Sequence, residues 1–452
     1  MASTRIYRTA GTPTSQKKAT VSFWVKMGNL TANEHIFDTY TDSNNRSHIQ
    51  FDDVDKIDVR FKVSGSNIGR IVCTPKFRDP TAWYHIVVAL DTTQATSTDR
   101  IKLYINGEQN TSADNGFTTE TYPSQNADVN LSGTHTIGAY HNGGSPNLYF
   151  SGSLTHVHYT DGYAYAASDF GETDTTSGIW KPKTSPSGIN YGTNGFFLKF
   201  ENSGNLDLDS SGNNLSFTTA GTLTQNVDTP SNNFATLNPL QSNLGNLSNG
   251  NLTATTTNYK YCLATLAANT GKWYMEMKVT HGCMVMGIQD IETANARLVV
   301  NNTFWFNGSE SYHLDGFSRF THDSYGDIAN DASAYPTYGS GDIIMMAVNL
   351  TDNKLAYGKN GTWYNSTNPG SGNTNMVSID AASSNANGNY GFVFADTCGA
   401  SDGTFNANFG QGFFGSTAVA SANSDGNGFG AFEYAVPTGY YALCTKNIKE
   451  FG

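Results

Sequence analysis

Short runs of β-branched and aromatic residues, closed at both ends by Asn, Gly, Ser and Asp, recur along this chain, and no stretch shows convincing helical periodicity. Val21 to Val25, Trp83 to Leu90 and Ile101 to Ile105 read as strands in the first half. Lys272 to Val279, Ile343 to Leu350 and Lys354 to Tyr357 repeat the style in the second. Asn106-Gly107 and Asn360-Gly361 each follow such a run, and Asn-Gly marks a hairpin because a type I′ turn needs positive φ at both central residues. The expected fold class is therefore all-β, with strands paired antiparallel into two-sheet sandwiches.

At 452 residues the chain is long enough for two such sandwiches. Residues 201–250 contain no Lys or Arg, are rich in Asn, Ser, Gly and Leu, and offer few strand-like runs. We therefore expect a first domain over 1–204, a connector over 205–250 and a second domain over 251–452. Gly/Ser/Ala/Asn-rich stretches at 368–390 and 415–430 read as long surface loops.

Charge narrows the partners. Residues 1–200 carry 17 Lys and Arg against 18 Asp and Glu, whereas 201–452 carry 9 against 20, within a net charge of −12. A phosphate backbone draws its affinity from cations, so nucleic acid is not an expected partner. No apolar run is long enough to span a membrane, and MASTRIYRTAG at the start lacks the apolar stretch of a secretory leader. No membrane insertion is expected, and the reading is a soluble product of a cytoplasm. Five cysteines without a Cys-x-x-Cys spacing fit neither a disulfide framework nor a zinc site, so buried free thiols are expected.

Residues 78–109, RDPTAWYHIVVALDTTQATSTDRIKLYINGEQ, resemble the laminin-G-like, concanavalin-A-like jelly-roll modules, which pair a W-x-H-I/V-x-V strand with a K-L-Y-I/V-N-G hairpin. ATVSFWVKMG (19–28) and GSLTHVHYTDGYAYAASDF (152–170) extend the likeness over about the first 200 residues. The second half resembles a SPRY domain, through GKWYMEMKV (271–279), GDIIMMAVNLTDNKLAYGKNGTW (341–363) and NANFGQGFF (406–414), with Asn349 where the hairpin usually carries Asp. The resemblance implies two concanavalin-A-like antiparallel jelly rolls joined by a linker.

The whole layout, with Trp180-Lys181-Pro182, YGTNGFFLKF (191–200) and YALCTKNIKE (441–450), resembles virion-associated proteins of marine bacteriophages. That resemblance implies a place in the virion, as a tail fibre, appendage or surface module, with other virion proteins and a host-surface glycan or receptor as partners and a homo-oligomeric state. A capsid decoration or tail-assembly subunit is the first alternative.

A polysaccharide depolymerase is the second. Retaining hydrolysis needs two carboxyls about 5–5.5 Å apart, and the nearest string is Asp53-Val54-Asp55-Lys56-Ile57-Asp58, which reads better as a solvated hairpin. No Gly-x-Ser-x-Gly elbow and no phosphate-cradling glycine loop occurs, so no catalytic residue is assigned and a non-enzymatic protein is expected. Asp207-Leu208-Asp209-Ser210-Ser211-Gly212-Asn213 follows the opening of a calcium loop, but Thr218 stands where the bidentate Glu belongs. Asp207, Asp209 and Ser211 are the calcium candidates, set against ordinary Asx-turn chemistry; no other cofactor is expected. His156 and His158, two apart on a strand, lack an identifiable third ligand.

Binding chemistry concentrates between 304 and 338. Trp305, Tyr312, His313, Arg319, Asp323, Tyr325, Tyr335 and Tyr338 combine flat rings with hydrogen-bonding groups, as a sugar's apolar face and hydroxyl edge require. The same residues read equally as a buried strand with tyrosines covering a sandwich edge. Tyr40, Asn44, Asn45, Arg46, Tyr140, His141 and Asn142 form a second, shallower candidate at strand-end turns, where a plain turn reading is favoured over a site because Asn, Gly and Asp are the usual turn residues.

Overall fold

The computed structural model describes residues 3–111, 116–242, 246–256, 260–290, 311–317, 319–322, 326–330, 335–385, 387–396 and 403–452. The chain divides into two compact units, Met1–Gln225 and Asn226–Gly452.

In the first unit an eight-stranded sheet runs in the order Phe117–Thr121, Ser66–Cys73, Ile57–Val63, Asn45–Phe51, Glu34–Asp42, Gly133–Ile137, Arg5–Ala10, Thr218–Ala220. A six-stranded sheet runs Phe196–Leu198, Ser153–Asp161, Lys18–Lys26, Trp83–Asp91, Ile101–Ile105, Glu108–Gln109. Every pairing in both is antiparallel. Alternate residues of the two inner faces, among them Val21, Phe23 and Ile86 from one sheet and Phe37, Ile49 and Val59 from the other, share one buried cluster. The outer face of the six-stranded sheet is covered by residues 163–195, whose Trp180 indole N–H donates to His85 Nδ1 at 3.0 Å. Asn106 and Gly107 take φ of 50° and 93°, the type I′ geometry their residue types favour.

The second unit repeats the plan. Its seven-stranded sheet runs Leu237–Ser242, Tyr261–Ala268, Tyr390–Asp396, Met284–Asp290, Ser311–Asp315, Arg319–His322, Gly326–Asn330. The facing sheet runs Asn246–Ser248, Thr253–Thr256, Gly403–Asn408, Lys272–Val279, Ile343–Asn349, Lys354–Lys359, Thr362–Trp363. Trp273, Met275, Met286, Met346, Phe394 and Phe405 are central to the core between them. Asn349, standing where Asp is usual, shapes its turn: its Oδ1 accepts from the Asp352 amide at 2.9 Å and its Nδ2 donates to the Asp352 carboxylate at 2.8 Å.

Residues 205–250 are built into the two sandwiches. Thr218–Ala220 pair with Arg5 to Tyr7, and Leu237–Ser242 pair with Tyr261–Ala268. Sheet edges need backbone hydrogen bonds rather than an apolar pattern, so these strands carry little sequence signal. Cys73, Cys262 and Cys444 are buried free thiols, and burial pushes Cys73 and Cys262 up to about 12. Cys283 departs from expectation: it is disulfide-bonded, its partner lying outside the described residues, as does Cys398. A cross-link between separate elements needs no local Cys spacing.

Candidate functional site

The aromatic platform expected at 304–338 dissolves into the core of the second unit where it is described. Tyr312, His313, Tyr335 and Tyr338 are only 2%, 1%, 5% and 5% exposed. Tyr312 and His313 lie on Ser311–Asp315, hydrogen-bonded between Met284–Asp290 and Arg319–His322, and all five of its positions are buried. The Tyr338 hydroxyl sits 2.6 Å from the Met284 carbonyl and 3.0 Å from that of Leu314, and Tyr312 Oη accepts from the Asp380 amide at 2.8 Å. The tyrosine hydroxyls thus serve buried backbone groups, which explains polar-tipped rings in an interior. Arg319 lies on the neighbouring strand; Trp305, Asp323 and Tyr325 lie outside the described residues.

Nor do the acidic candidates converge. Asp209 is buried and accepts from the amides of Phe197 (3.0 Å), Ser211 (2.9 Å) and Leu215 (3.0 Å) and from the Ser211 hydroxyl (3.0 Å). Asp207 instead accepts from Thr219 Oγ1 at 2.9 Å. Asp209 and Ser211 therefore spend their polar atoms on one turn. Among the hydrolase candidates, Asp55 pairs with Arg78 (2.7 Å), Asp58 with Arg60 and Arg70 (2.8 Å each), and Asp53 is exposed. Across the first unit, His158 is buried with Nδ1 2.9 Å from Tyr191 Oη, and a register shift between Thr155 and His158 breaks the simple alternation that would align it with His156.

What the structure brings together is the outer face of the eight-stranded sheet. Arg46, His48 and Gln50 alternate with Ser47, Ile49 and Phe51; Asp58, Arg60 and Lys62 alternate with Ile57, Val59 and Phe61. The apolar set faces the core, so the polar set must face out. Antiparallel register then aligns Asp38, His48, Arg60 and Arg70 in one cross-strand row, and Tyr40, Arg46 and Lys62 in the next. A register shift between His35 and Phe37 turns His35 onto the same face, where its Nδ1 lies 3.3 Å from Asp38 Oδ1. Asp58 is clasped by Arg60 Nη2 (2.8 Å), Arg70 Nη2 (2.8 Å) and Arg70 Nε (3.1 Å).

Residues 138–150 lie against this face. The His141 amide donates to Asp38 Oδ2 at 2.7 Å, and the His35 amide to the Leu148 carbonyl at 3.0 Å. Tyr140 and Asn147 exchange backbone hydrogen bonds of 2.9 and 3.2 Å. The Arg46 guanidinium stands 4.9 Å from the centre of the Tyr140 ring, and Tyr40 lies 4.8 Å from His141. Gly143 is required here: its φ is +87°, and a Cβ would fall 2.6 Å from Tyr40 Oη. Tyr40, Arg46, Tyr140 and His141 remain partly exposed and Asn142 is exposed.

Burial, reinforced by His35 and the neighbouring arginines, holds His48 well below the ordinary imidazole value, so it is neutral. Burial also raises Asp38 against the opposing pull of its contact with His35. The face therefore offers rings and partly exposed guanidiniums outward while both carboxylates are enclosed. That combination suits a hydroxylated or anionic ligand and supplies no exposed carboxylate pair for acid–base chemistry. Tyr40, Arg46, Tyr140, His141 and Asn142 were visible in the sequence as turn residues. His35, Asp38, His48, Arg60 and Arg70 were missed, and Asp58 was read only as a hydrolase candidate, although the polar–apolar alternation of 48–51 and 57–62 was there to be read.

Residues 3–168 match the family model described as Concanavalin A-like lectin/glucanases superfamily. No curated protein matches the chain. Among solved structures, the SPRY domain of human HERC1 is similar at 12% identity, over 38% of this chain and 96% of that one, with a TM-score of 0.28. The heptameric SAP-like pentraxin of Limulus polyphemus is similar at 19% identity, over 36% and 72%, with a TM-score of 0.28. The TRIM65 PSpry domain is similar at 12% identity, over 38% and 88%, with a TM-score of 0.27.

Proposed function

We propose that this chain is a non-enzymatic recognition protein of a bacteriophage particle, a tail fibre or surface appendage, and that it holds a host-surface glycan on the outer face of the eight-stranded sheet. The observation that carries the binding role is the set Tyr40, Arg46, Tyr140 and His141, partly exposed, with the His141 amide held by Asp38. Sugar rings stack on aromatic faces and take hydrogen bonds from guanidinium and amide groups. The match of residues 3–168 to a lectin/glucanase superfamily supports the glycan class. The particle assignment rests on the sequence likeness to marine phage virion proteins, as do the other virion proteins named as partners.

Two experiments test this reading. Full-length protein on an array of bacterial surface polysaccharides is expected to bind without releasing reducing ends, and Tyr140→Ala or Arg46→Ala each to weaken binding by about tenfold, the equivalent of one ring or guanidinium contact of ~1.4 kcal/mol. Binding unaffected by both substitutions, or turnover of the polysaccharide, overturns it. An electron-microscopy map of purified particles is expected to contain the chain; its absence removes the virion assignment while leaving the glycan face standing.

A further inference from the structure

We propose that His35, Asp38 and His48 form a binding site for a late first-row divalent metal ion, of which zinc is the best fit. One potential ligand atom from each residue lies within 4.8 Å of the other two, and the side chains are 2%, 0% and 5% exposed. No other group of three His, Cys, Asp or Glu among the described residues meets that criterion. The three come from adjacent strands: Asp38 is the direct cross-strand partner of His48, and the register shift beside His35 brings its ring over both. The His35 and His48 ring centres are 4.8 Å apart.

The independent observation is His48 itself. Neither of its ring nitrogens has a hydrogen-bond partner, although the side chain is enclosed. A neutral imidazole has one donor and one acceptor, and an interior normally satisfies both. A metal ion takes the acceptor lone pair directly. Asp38 supplies the anionic ligand through Oδ1, while its Oδ2 is held by the His141 amide at 2.7 Å, the kind of outer contact that fixes a ligating carboxylate.

Donor chemistry selects the ion. Two imidazoles and one carboxylate suit zinc, cobalt or nickel and are a poor set for calcium or magnesium, which take oxygen. Arg46, Arg60 and Arg70 also act on His48 through space, so a purely electrostatic cation site is disfavoured and covalent nitrogen coordination must supply the binding. Arg60 and Arg70 are turned to Asp58, which lowers that repulsion. Ligands of a tetrahedral zinc stand about 3.4 Å apart, so the cluster closes by little more than an ångström. Residues 138–150 cover the site, and bound metal would fasten that segment through Asp38 and the His141 amide.

Metal binding is read on the chain alone and does not depend on the glycan reading. Full-length protein stripped with chelator and dialysed is titrated with zinc, then with cobalt. Expected are one zinc per chain retained through gel filtration, a zinc-dependent rise in the first unit's melting temperature, and a visible cobalt spectrum of nitrogen and oxygen ligation. Asp38→Asn and His48→Gln should each weaken zinc by about tenfold or more, with His281→Ala, in the second unit and outside the cluster, unchanged. Failure to retain zinc, retention undiminished in both variants, or a cobalt–thiolate charge-transfer band overturns the proposal. Should either variant fold poorly by circular dichroism, the other variant and the cobalt spectrum of the parent decide.

Discussion

The two units solve the same architectural problem with different side chains. Seven of the ten histidines (35, 48, 85, 135, 141, 156, 158) fall in the first unit, and seven of the nine methionines (275, 277, 284, 286, 345, 346, 376) in the second. The methionines are all buried; those at 275, 277, 284, 286 and 346 lie in the large core cluster, where an unbranched thioether fills irregular space. The histidines of the first unit sit largely outside its main core. His85 stacks on Trp24 at 4.7 Å, and His158 on Phe197 at 3.8 Å, beneath residues 163–195; His35 and His48 lie under Tyr140. The lesson is that the first sandwich places titratable rings on the outer faces of its sheets, enclosed beneath covering segments, while the second invests apolar volume in its interior.

Glu276 is one of several enclosed polar groups of the second unit, with Asp396, Asn408 and Asp425. Glu276, fully enclosed, accepts from Tyr274 Oη (2.9 Å), Asn408 Nδ2 (3.2 Å) and the amides of Glu433 (2.9 Å) and Tyr434 (2.9 Å). Glu276→Ala strands these donors, and we expect a loss of about 3 kcal/mol or more from the second unit, with the first unit unmoved, as read by urea unfolding with hydrogen exchange resolving the two. Equal destabilisation of both units would break the contrast.

Acid should separate the units next. Burial lowers His85 to about 3, His135 to about 4 and His156 to about 4, and pushes His48 and His158 well below the ordinary 6.5. The unfolded chain therefore binds more protons than the folded unit in this window. The stabilisation is complete above about 6.5 and is lost as pH falls towards 4. Glu34 in the first unit and Glu276 in the second are both raised to about 7 by burial, with the opposite sign, and so offset each other in the comparison. Hydrogen exchange during acidification should show the first unit opening first; earlier opening of the second unit would contradict the account. Protonation of His85 also removes the acceptor for Trp180, so an indole fluorescence change should accompany that transition.

The smallest contrast lies within one loop. Asp209→Ala removes the acceptor of four hydrogen bonds and should cost the first unit about 2 kcal/mol, whereas Asp207→Ala, at a partly exposed side chain, should stay within about 0.5 kcal/mol. Calcium-dependent melting abolished by both substitutions would return the loop to a cation site.

Strands and hairpins were readable because their signals are local: the β-branched and aromatic run at 83–90, and the Asn360-Gly361 pair, whose φ values are 50° and 84°. The site was half readable. Tyr40, Arg46, Tyr140 and His141 announce themselves as polar aromatics and a cation at turns, but only register places Asp38 opposite His48, and only the shift beside His35 brings a third ligand across. Tyr312, Tyr335 and Tyr338 misled for the converse reason. A tyrosine's sequence context does not say whether its hydroxyl meets water or, as at Tyr338, the carbonyls of Met284 and Leu314. Thr218–Ala220 looked like linker because an edge strand needs no apolar face.

Mapping the bound polysaccharide on the full-length chain by hydrogen exchange tests the central claim most directly. The account predicts protection confined to Glu34–Asp42, Asn45–Phe51, Ile57–Val63 and the segment 138–150 of the first unit. Protection confined to residues 291–338 of the second unit, with the first unchanged, would contradict it.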